Sequence, residues 1–321
     1  MQRREFLQFL SAGAFSLALP AQGTGSKPLR GIFPIGQTPF TESDKLDLDA
    51  LVEQVRFIDR GRVHGFVWPQ IASEWSTLTE AERLEGAEAV ASVGKKLRPA
   101  IVLGVQGPDL ATAVRYAKHA EKAGADAIIS LPPARQSDPK AVLEYFKEVG
   151  KATELPLFLQ AVGDIGVEAI LEMYKTVPTL RYVKDEAGQP LARIAPLREK
   201  TSGQLKVFTG SHGRTLIDEM QRGFSGSMPA AAFADLYAAA WDLWHAGRRK
   251  DAMEVFAKAA LFITEVGAYG IEALKYILYL RGVFKTYGTR ERQREMSQVL
   301  DSTGKQVLRE MLDFVKPWLR A

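Results

Sequence analysis

The residue best equipped for covalent chemistry in this sequence is a lysine, Lys184, in the stretch LRYVKDEAG at residues 180–188. It follows a short apolar run and is followed by two carboxylates, Asp185 and Glu186, and then by a glycine, Gly188. Spacing alone leaves two readings open. In one, Lys184 is a solvated strand-end cation paired with Asp185 or Glu186. In the other, it is an amine held among apolar neighbours (Tyr182, Val183, Phe208 and Met228), where burial disfavours the ammonium and lowers proton affinity. A neutral amine attacks a carbonyl carbon and forms a Schiff base.

Which reading applies depends on the elements that carry the lysine. From residue 30 onward the chain alternates between strand-length apolar segments and helical periodicity. Strands are expected at 31–36, 65–70, 100–105, 126–132, 156–162, 180–184, 205–210 and 224–229. Helical stretches follow them, for example at 48–61, 110–124 and 167–177. Thr79 with Glu82 makes a capping-box pattern, Pro108–Asp109 opens a helix, and Gly61 and Gly124 stand where helices should stop. Eight strand–helix repeats imply a parallel sheet with crossover helices, whose closed form is the (β/α)8 TIM barrel. The competing open sheet usually carries a Gly-rich first turn, and GQTPFTESD after the first strand lacks one. The expected class is therefore α/β, with a barrel over 30–247 and a C-terminal helical extension over 248–321. Apolar stripes in that extension read as core.

Barrel chemistry gathers at the C-terminal ends of strands, and that filter sorts the polar residues. His64 precedes its strand, and His119 and His245 fall within helices. His212, in TGSHG past the seventh strand, is the histidine on the active side. The remaining strand-end residues are Thr38, Gln70, Ser73, Glu74, Gln106, Arg135, Gln160, Asp185, Glu186 and Ser211. No set among them has the His/carboxylate spacing of a metal site, so neither a metal nor another cofactor is expected. FSGSMP after strand eight, with Ser227, and TGSHG could offer backbone N–H groups to an anion.

Composition limits the function classes further. The 321 residues are 46% hydrophobic and 25% charged, which is ordinary for a globular protein. The net charge of +4 is spread thinly, which argues against a nucleic-acid stripe. Absence of cysteine removes disulfides, thiolate nucleophiles and Cys-bound metal. The first 24 residues, with Arg3 and Arg4 before an apolar stretch, have the layout of a twin-arginine-like export signal and are too short to span a membrane. The mature protein is thus expected outside the cytoplasm, with no stable membrane insertion.

Several of these motifs, in order, resemble the dihydrodipicolinate synthase / N-acetylneuraminate lyase family of class I aldolase-type barrels. GIFPIGQTPF is similar to the family's opening strand, and Glu74 with STLTEAER matches the run that enters its second helix. AGADAIISLPP and ELPLFLQAV resemble the fourth and fifth strand motifs, and LRYVKDEAG the sixth. The likeness spans residues 30 to about 265. It implies that Lys184 is the Schiff-base lysine. Other family positions are changed: Gln160 stands for the proton-relay tyrosine and Ala134 for the tyrosine that enters a neighbour's relay. Ile71 and Ala72 replace the threonine pair that grips the substrate carboxylate, Ser73 replaces a glycine, and Ile165 replaces an arginine used by the synthase.

The resemblance therefore implies a Schiff-base lyase of retro-aldol or dehydratase type, acting on a 2-oxo acid or sugar-acid derivative through Lys184, rather than the synthase itself. The alternative is a catalytically degenerate barrel that binds a small carboxylic acid or sugar without turnover; a phosphate-handling barrel is a third reading. Proton transfer must come from Asp185, Glu186, His212 or a water held by Gln70 and Gln160, and His212 ranks first because imidazole titrates near neutrality. Gln70, Ala72, Ser73, Gln160 and Ser227 are the expected substrate contacts. Trp68 and Trp75 flank the second loop, as packing residues or as stacking faces. A homo-oligomer, dimer or tetramer, is expected.

Overall fold

The computed structural model describes residues 27–134, 136, 138–290 and 298–321. The expected export signal and Arg135 lie outside the described residues. Eight strands follow in chain order: β1 (Gly31–Ile32), β2 (Gly65–Trp68), β3 (Ala100–Gly104), β4 (Ala127–Ser130), β5 (Leu157–Ala161), β6 (Leu180–Asp185), β7 (Lys206–Thr209) and β8 (Gly226–Ser227). All registered neighbours are parallel, in the order β1-β8-β7-β6-β5-β4-β3-β2. The ring closes beyond β1, where Ile35 bridges Val67, and where Val67 N donates to Pro34 O at 3.0 Å and Gly36 N to Val67 O at 2.9 Å. This is the (β/α)8 barrel that the alternation predicts. Every strand is shorter than its apolar run except β6, because the runs include residues that turn over into the loops.

The helices α1 (Leu48–Arg60), α2 (Glu80–Gly94), α3 (Leu110–Ala123), α4 (Pro139–Lys151), α5 (Val167–Thr176), α6 (Pro190–Lys200), α7 (Leu216–Gln221) and α8 (Ala234–His245) follow the strands in turn. The first four start at side-chain caps: Asp47, Asp109 and Asp138 accept from amides of the first turn, and Thr79 and Glu82 form the expected reciprocal box. Gly124 ends α3 at φ 85°, a left-handed conformation that glycine adopts at little cost. Two apolar cores result from period-two alternation along the strands. Phe33, Val67, Val102, Ile129, Phe158 and Phe208 fill the barrel interior, while residues such as Phe66, Ile128, Leu159 and Val207 face the helices.

Three further helices, α9 (Arg249–Tyr269), α10 (Ile271–Leu280) and α11 (Ser302–Val315), complete the chain. Helix α9 covers α8, which explains why α8 is apolar nearly all round. The segment from α10 to Arg290 is tied to the loops after β1 and β2. Lys275 forms a fully buried ion pair with Glu74, and both Lys275 and Arg290 lie over the Phe40 ring, at 4.3 and 4.0 Å. Arg290 also donates from its backbone to Glu74 at 2.7 Å and from its guanidinium to Asp44 and Glu82 at 2.7–2.9 Å. The strand-end Glu74 is thus engaged by the C-terminal segment. Among the described residues no helix is long and apolar enough to cross a membrane.

Candidate active site

Lys184 sits near the C-terminal end of β6, paired in register with Gln160 on β5 and Phe208 on β7. Tyr182, two residues earlier, packs against the interior cluster with Phe158 and Phe208, so alternation sends Lys184 and Gln160 into the barrel one step higher. The lysine is 5% exposed. Of the apolar neighbours expected from the sequence, Tyr182, Phe208 and Met228 belong to the interior cluster while Val183 faces the helices, and the amine is met by a carboxylate: Nζ lies 2.9 Å from Glu186 Oε2.

Glu186 is the hub of the cluster. Its Oε2 also accepts from Gln160 Nε2 at 2.6 Å, and its Oε1 accepts from Ser211 N at 2.8 Å. Burial alone would raise this carboxyl, but the Lys184 charge, the Ser211 N–H and the Gln160 amide outweigh it and the net shift is downward. Space for the pair comes from Gly210, where a Cβ would stand 2.0 Å from Glu186 Oε1 and 2.7 Å from Lys184 Cε. Neighbouring Asp185 points the other way, fully buried and 2.8 Å from Arg193 Nε on α6. Its burial wins over that cation and pushes its carboxyl up to about 6.

His212 is half-buried in the turn after β7, at φ 57°. Burial pushes its imidazole down, partly offset by the Glu186 carboxylate and reinforced by Arg214 and Lys184, so it is largely neutral at pH 7. Its carbonyl accepts from the Tyr237 hydroxyl. The other three histidines lie where the strand-end filter puts them. His64 accepts from Ile32 N at 3.2 Å and faces Asp242, His119 pairs with Glu88, and His245 meets Arg30.

The β2 loop is heavily cross-bonded. Ser73 Oγ donates to Gly36 O and accepts from Gln70 N, while Ser73 N donates to Gln70 O, so its polar groups tie this loop to itself and to the segment after β1. Gln70 donates to Gln106 at 2.9 Å, and Gln106 donates to Pro69 O at 2.9 Å. The buried side-chain oxygens of Gln70 and Gln160 accept no hydrogen bond. Ala72 rests on the interior cluster. Ser227 lies on the opposite side of its strand from inward-facing Met228, against Gly213 and near Tyr237. Trp68 is buried toward α2, close over Gly86, and its indole donates to Thr38 at 3.0 Å, so it packs rather than stacks on a ligand. Trp75 stays half-buried.

Two cavities lie among the strand-end loops, and the first of them adjoins the cluster. One of about 540 Å³ is lined by Glu186, Thr209, Ser211, Arg214 and Glu219 among others. The second, of about 840 Å³, is walled largely by apolar residues of the loops after β4 and β5, including Pro133, Ala134, Val162 and Ile165, with Trp75 and Gln106 at its rim. Glu219 on α7 is buried, accepts from the Thr215 hydroxyl at 2.8 Å, and is pushed by burial up to about 7. In the sequence Glu186 is one of several candidate proton carriers; its place two residues past Lys184 puts it on the same side of the backbone alternation, but the tie from Ser211 N that fixes it comes from another loop.

A 4-hydroxy-tetrahydrodipicolinate synthase of Methanococcoides burtonii is 30% identical over 193 residues, which cover 58% of this chain and 65% of that protein, less than two thirds of its length. Dihydrodipicolinate synthase from Rhodopseudomonas palustris superposes with a TM-score of 0.80 at 24% identity, covering 91% of this chain and 99% of that one. A prophage protein of E. coli K12, of the dihydrodipicolinic acid synthase family and solved in complex with pyruvate, gives 0.80 at 19% identity over 90% of this chain and 99% of its own. These solved structures share the barrel and its C-terminal helices. Residues 28–309 match the dihydrodipicolinate synthetase family as a whole, and the chain belongs to that family.

Proposed function

We propose that the protein is a Schiff-base-forming lyase, of retro-aldol or dehydratase type, that acts on a 2-oxo acid or sugar-acid derivative through Lys184. The observation that carries this reading is the burial of the Lys184 amine inside the barrel mouth, 2.9 Å from a carboxylate that can exchange its proton. An amine in that position attacks the carbonyl carbon of a ligand, and the resulting iminium withdraws electrons from the bond to be cleaved. The pyruvate held by the E. coli K12 relative is consistent with a 2-oxo acid as the ligand class. Gln160 and Gln70, whose buried side-chain oxygens have no partner, accept in this proposal from ligand hydroxyls or from water once the site is occupied. His212, as a neutral imidazole, and backbone groups near Ala72 complete the proposed contacts; Ser73 and Ser227 support the loops that carry them.

The test is borohydride trapping with a panel of 2-oxo acids, pyruvate first, followed by peptide mass mapping. A reduced adduct on Lys184, absent from Lys184→Ala, is the expected result. Binding of the acids without any adduct would mean that the barrel is a binding protein, and the lyase reading would fall. Export and self-association belong to the same proposal. Replacing Arg3 and Arg4 by lysine should retain the protein in the cytoplasm, and light scattering should give the mass of a dimer or tetramer.

A further inference from the structure

We propose that Glu186 is the general acid–base of this site, taking the proton from the Lys184 amine and returning it to the departing oxygen. The inference rests on the Schiff-base reading of Lys184 and assigns the proton transfer that this chemistry requires.

Three observations converge on this carboxylate. It contacts the reacting nitrogen directly, at 2.9 Å, within the range over which a proton is handed across a hydrogen bond. Its orientation is fixed from both sides: Ser211 N holds Oε1 at 2.8 Å and Gln160 Nε2 holds Oε2 at 2.6 Å. It is also the member of the cluster that reaches both compartments. Lys184 points into the barrel with its side chain 6% exposed, whereas the Glu186 side chain is 20% exposed and lines the 540 Å³ cavity beyond β6 and β7. Gly210 supplies the gap through which the two meet, since any side chain there would displace the carboxylate. The other candidates are less well placed. Asp185 is turned to Arg193 on the helix side, and the His212 imidazole has no hydrogen bond to Lys184.

The steps balance as follows. Lys184 ammonium and Glu186 carboxylate exchange a proton to give free amine and carboxylic acid. The amine adds to the ligand carbonyl, and its nitrogen proton passes to the new oxygen, giving a neutral carbinolamine. Glu186 then protonates the carbinolamine hydroxyl, which leaves as water while the nitrogen lone pair forms the iminium. Glu186 ends as carboxylate beside a cationic iminium, so charge is conserved from start to finish. The same carboxylate is then in place to accept a proton from a hydroxyl of the bound ligand when a carbon–carbon bond breaks.

The experiment compares the rate of reductive trapping of pyruvate, or of whichever 2-oxo acid labels the wild type, in wild type, Glu186→Gln, Glu186→Ala and His212→Asn. Circular dichroism and melting curves verify that each variant is folded. Trapping in Glu186→Gln should slow by about 10²-fold or more, within the span that positioned acid–base groups contribute. Added formate, which the adjoining cavity can admit, should restore the rate in Glu186→Ala in proportion to its concentration. A purely structural role would give no such rescue. His212→Asn, which removes a proposed ligand contact, should raise the concentration of acid needed for trapping and should gain nothing from formate. Wild-type labelling with equal labelling in Glu186→Gln overturns the role of Glu186 and leaves Lys184 standing. Loss of trapping in His212→Asn alone transfers the role to the histidine. Absence of any adduct in the wild type overturns the Schiff-base reading itself, and the inference with it.

Discussion

Gly210 sets the geometry of the reactive pair as firmly as the charged residues do. A methyl group at this position would overlap Glu186 Oε1 and press on Lys184 Cε. Gly210→Ala is therefore expected to separate amine and carboxylate, costing about 1–3 kcal/mol of stability through overpacking. Its larger effect should fall on chemistry: the trapping rate with pyruvate should drop at least tenfold while the fold persists. A variant that traps at the wild-type rate would show that the contact is not needed. At this scale the sequence was informative about the nucleophile and less so about its partner. Lys184 stood out by its motif and strand position. Glu186 was one acid among several, because the tie from Ser211 N comes from the next strand's loop and no local spacing encodes it. Ser227 illustrates the reverse problem: its strand is only two residues long, so which way its hydroxyl points could not be read from an alternating pattern.

Elements were the most legible level. Eight apolar runs separated by capped helices leave few topologies open, and the caps at Asp47, Thr79 and Asp109 mark starts through their own hydrogen bonds. What periodicity could not show is where the C-terminal segment docks. The sequence put Glu74 at a strand end on the active face. In the structure that side chain is consumed by Lys275 of α10 and by the Arg290 backbone. Lys275→Met should consequently destabilise the protein by about 3–5 kcal/mol, since it leaves a buried carboxylate without its cation. Adding Glu74→Gln should recover much of that loss. A double-mutant cycle by chemical denaturation measures it, and additive single effects would disprove the coupling.

At the level of the whole molecule, the shifted carboxyls oppose one another. Glu82 is held down to about 2 by its hydrogen bond with Arg290, against partial burial, and Asp242 is held low, against burial, by the nearby His64 and by a hydrogen bond from Arg320. Their contribution is complete above the ordinary carboxyl range and is lost as pH falls through their lowered values. Asp185 and Glu219 are pushed up, to about 6 and about 7, so their contribution is present at low pH and is lost as pH rises through those values. Melting temperature should therefore peak near pH ~5 and decline toward pH 8. Glu219→Gln, neutral at every pH, should flatten that decline by an amount on the order of 3 kcal/mol, the rise from the ordinary carboxyl value to about 7 converted at ~1.36 kcal/mol per tenfold in proton affinity. An unchanged profile would mean that Glu219 ionises freely.

The barrel also has a seam. Most neighbouring strands share several registered pairs, five between β5 and β6, but β2 meets the chain past the end of β1, where Ile35 bridges Val67. Across that thin join the Arg290 side chain reaches Asp44 in the loop after β1 and Thr77 and Glu82 beyond β2, and Phe40 lies beneath it. The C-terminal segment thus acts as a clasp closed over the joint, and the ring's resistance to opening is borrowed from residues far along the chain. Amide hydrogen exchange should reveal it: Arg290→Ala should speed exchange at Gly36 and Val67 while the amides between β5 and β6 keep their protection. The cylinder of strands would then prove to be buckled shut from outside.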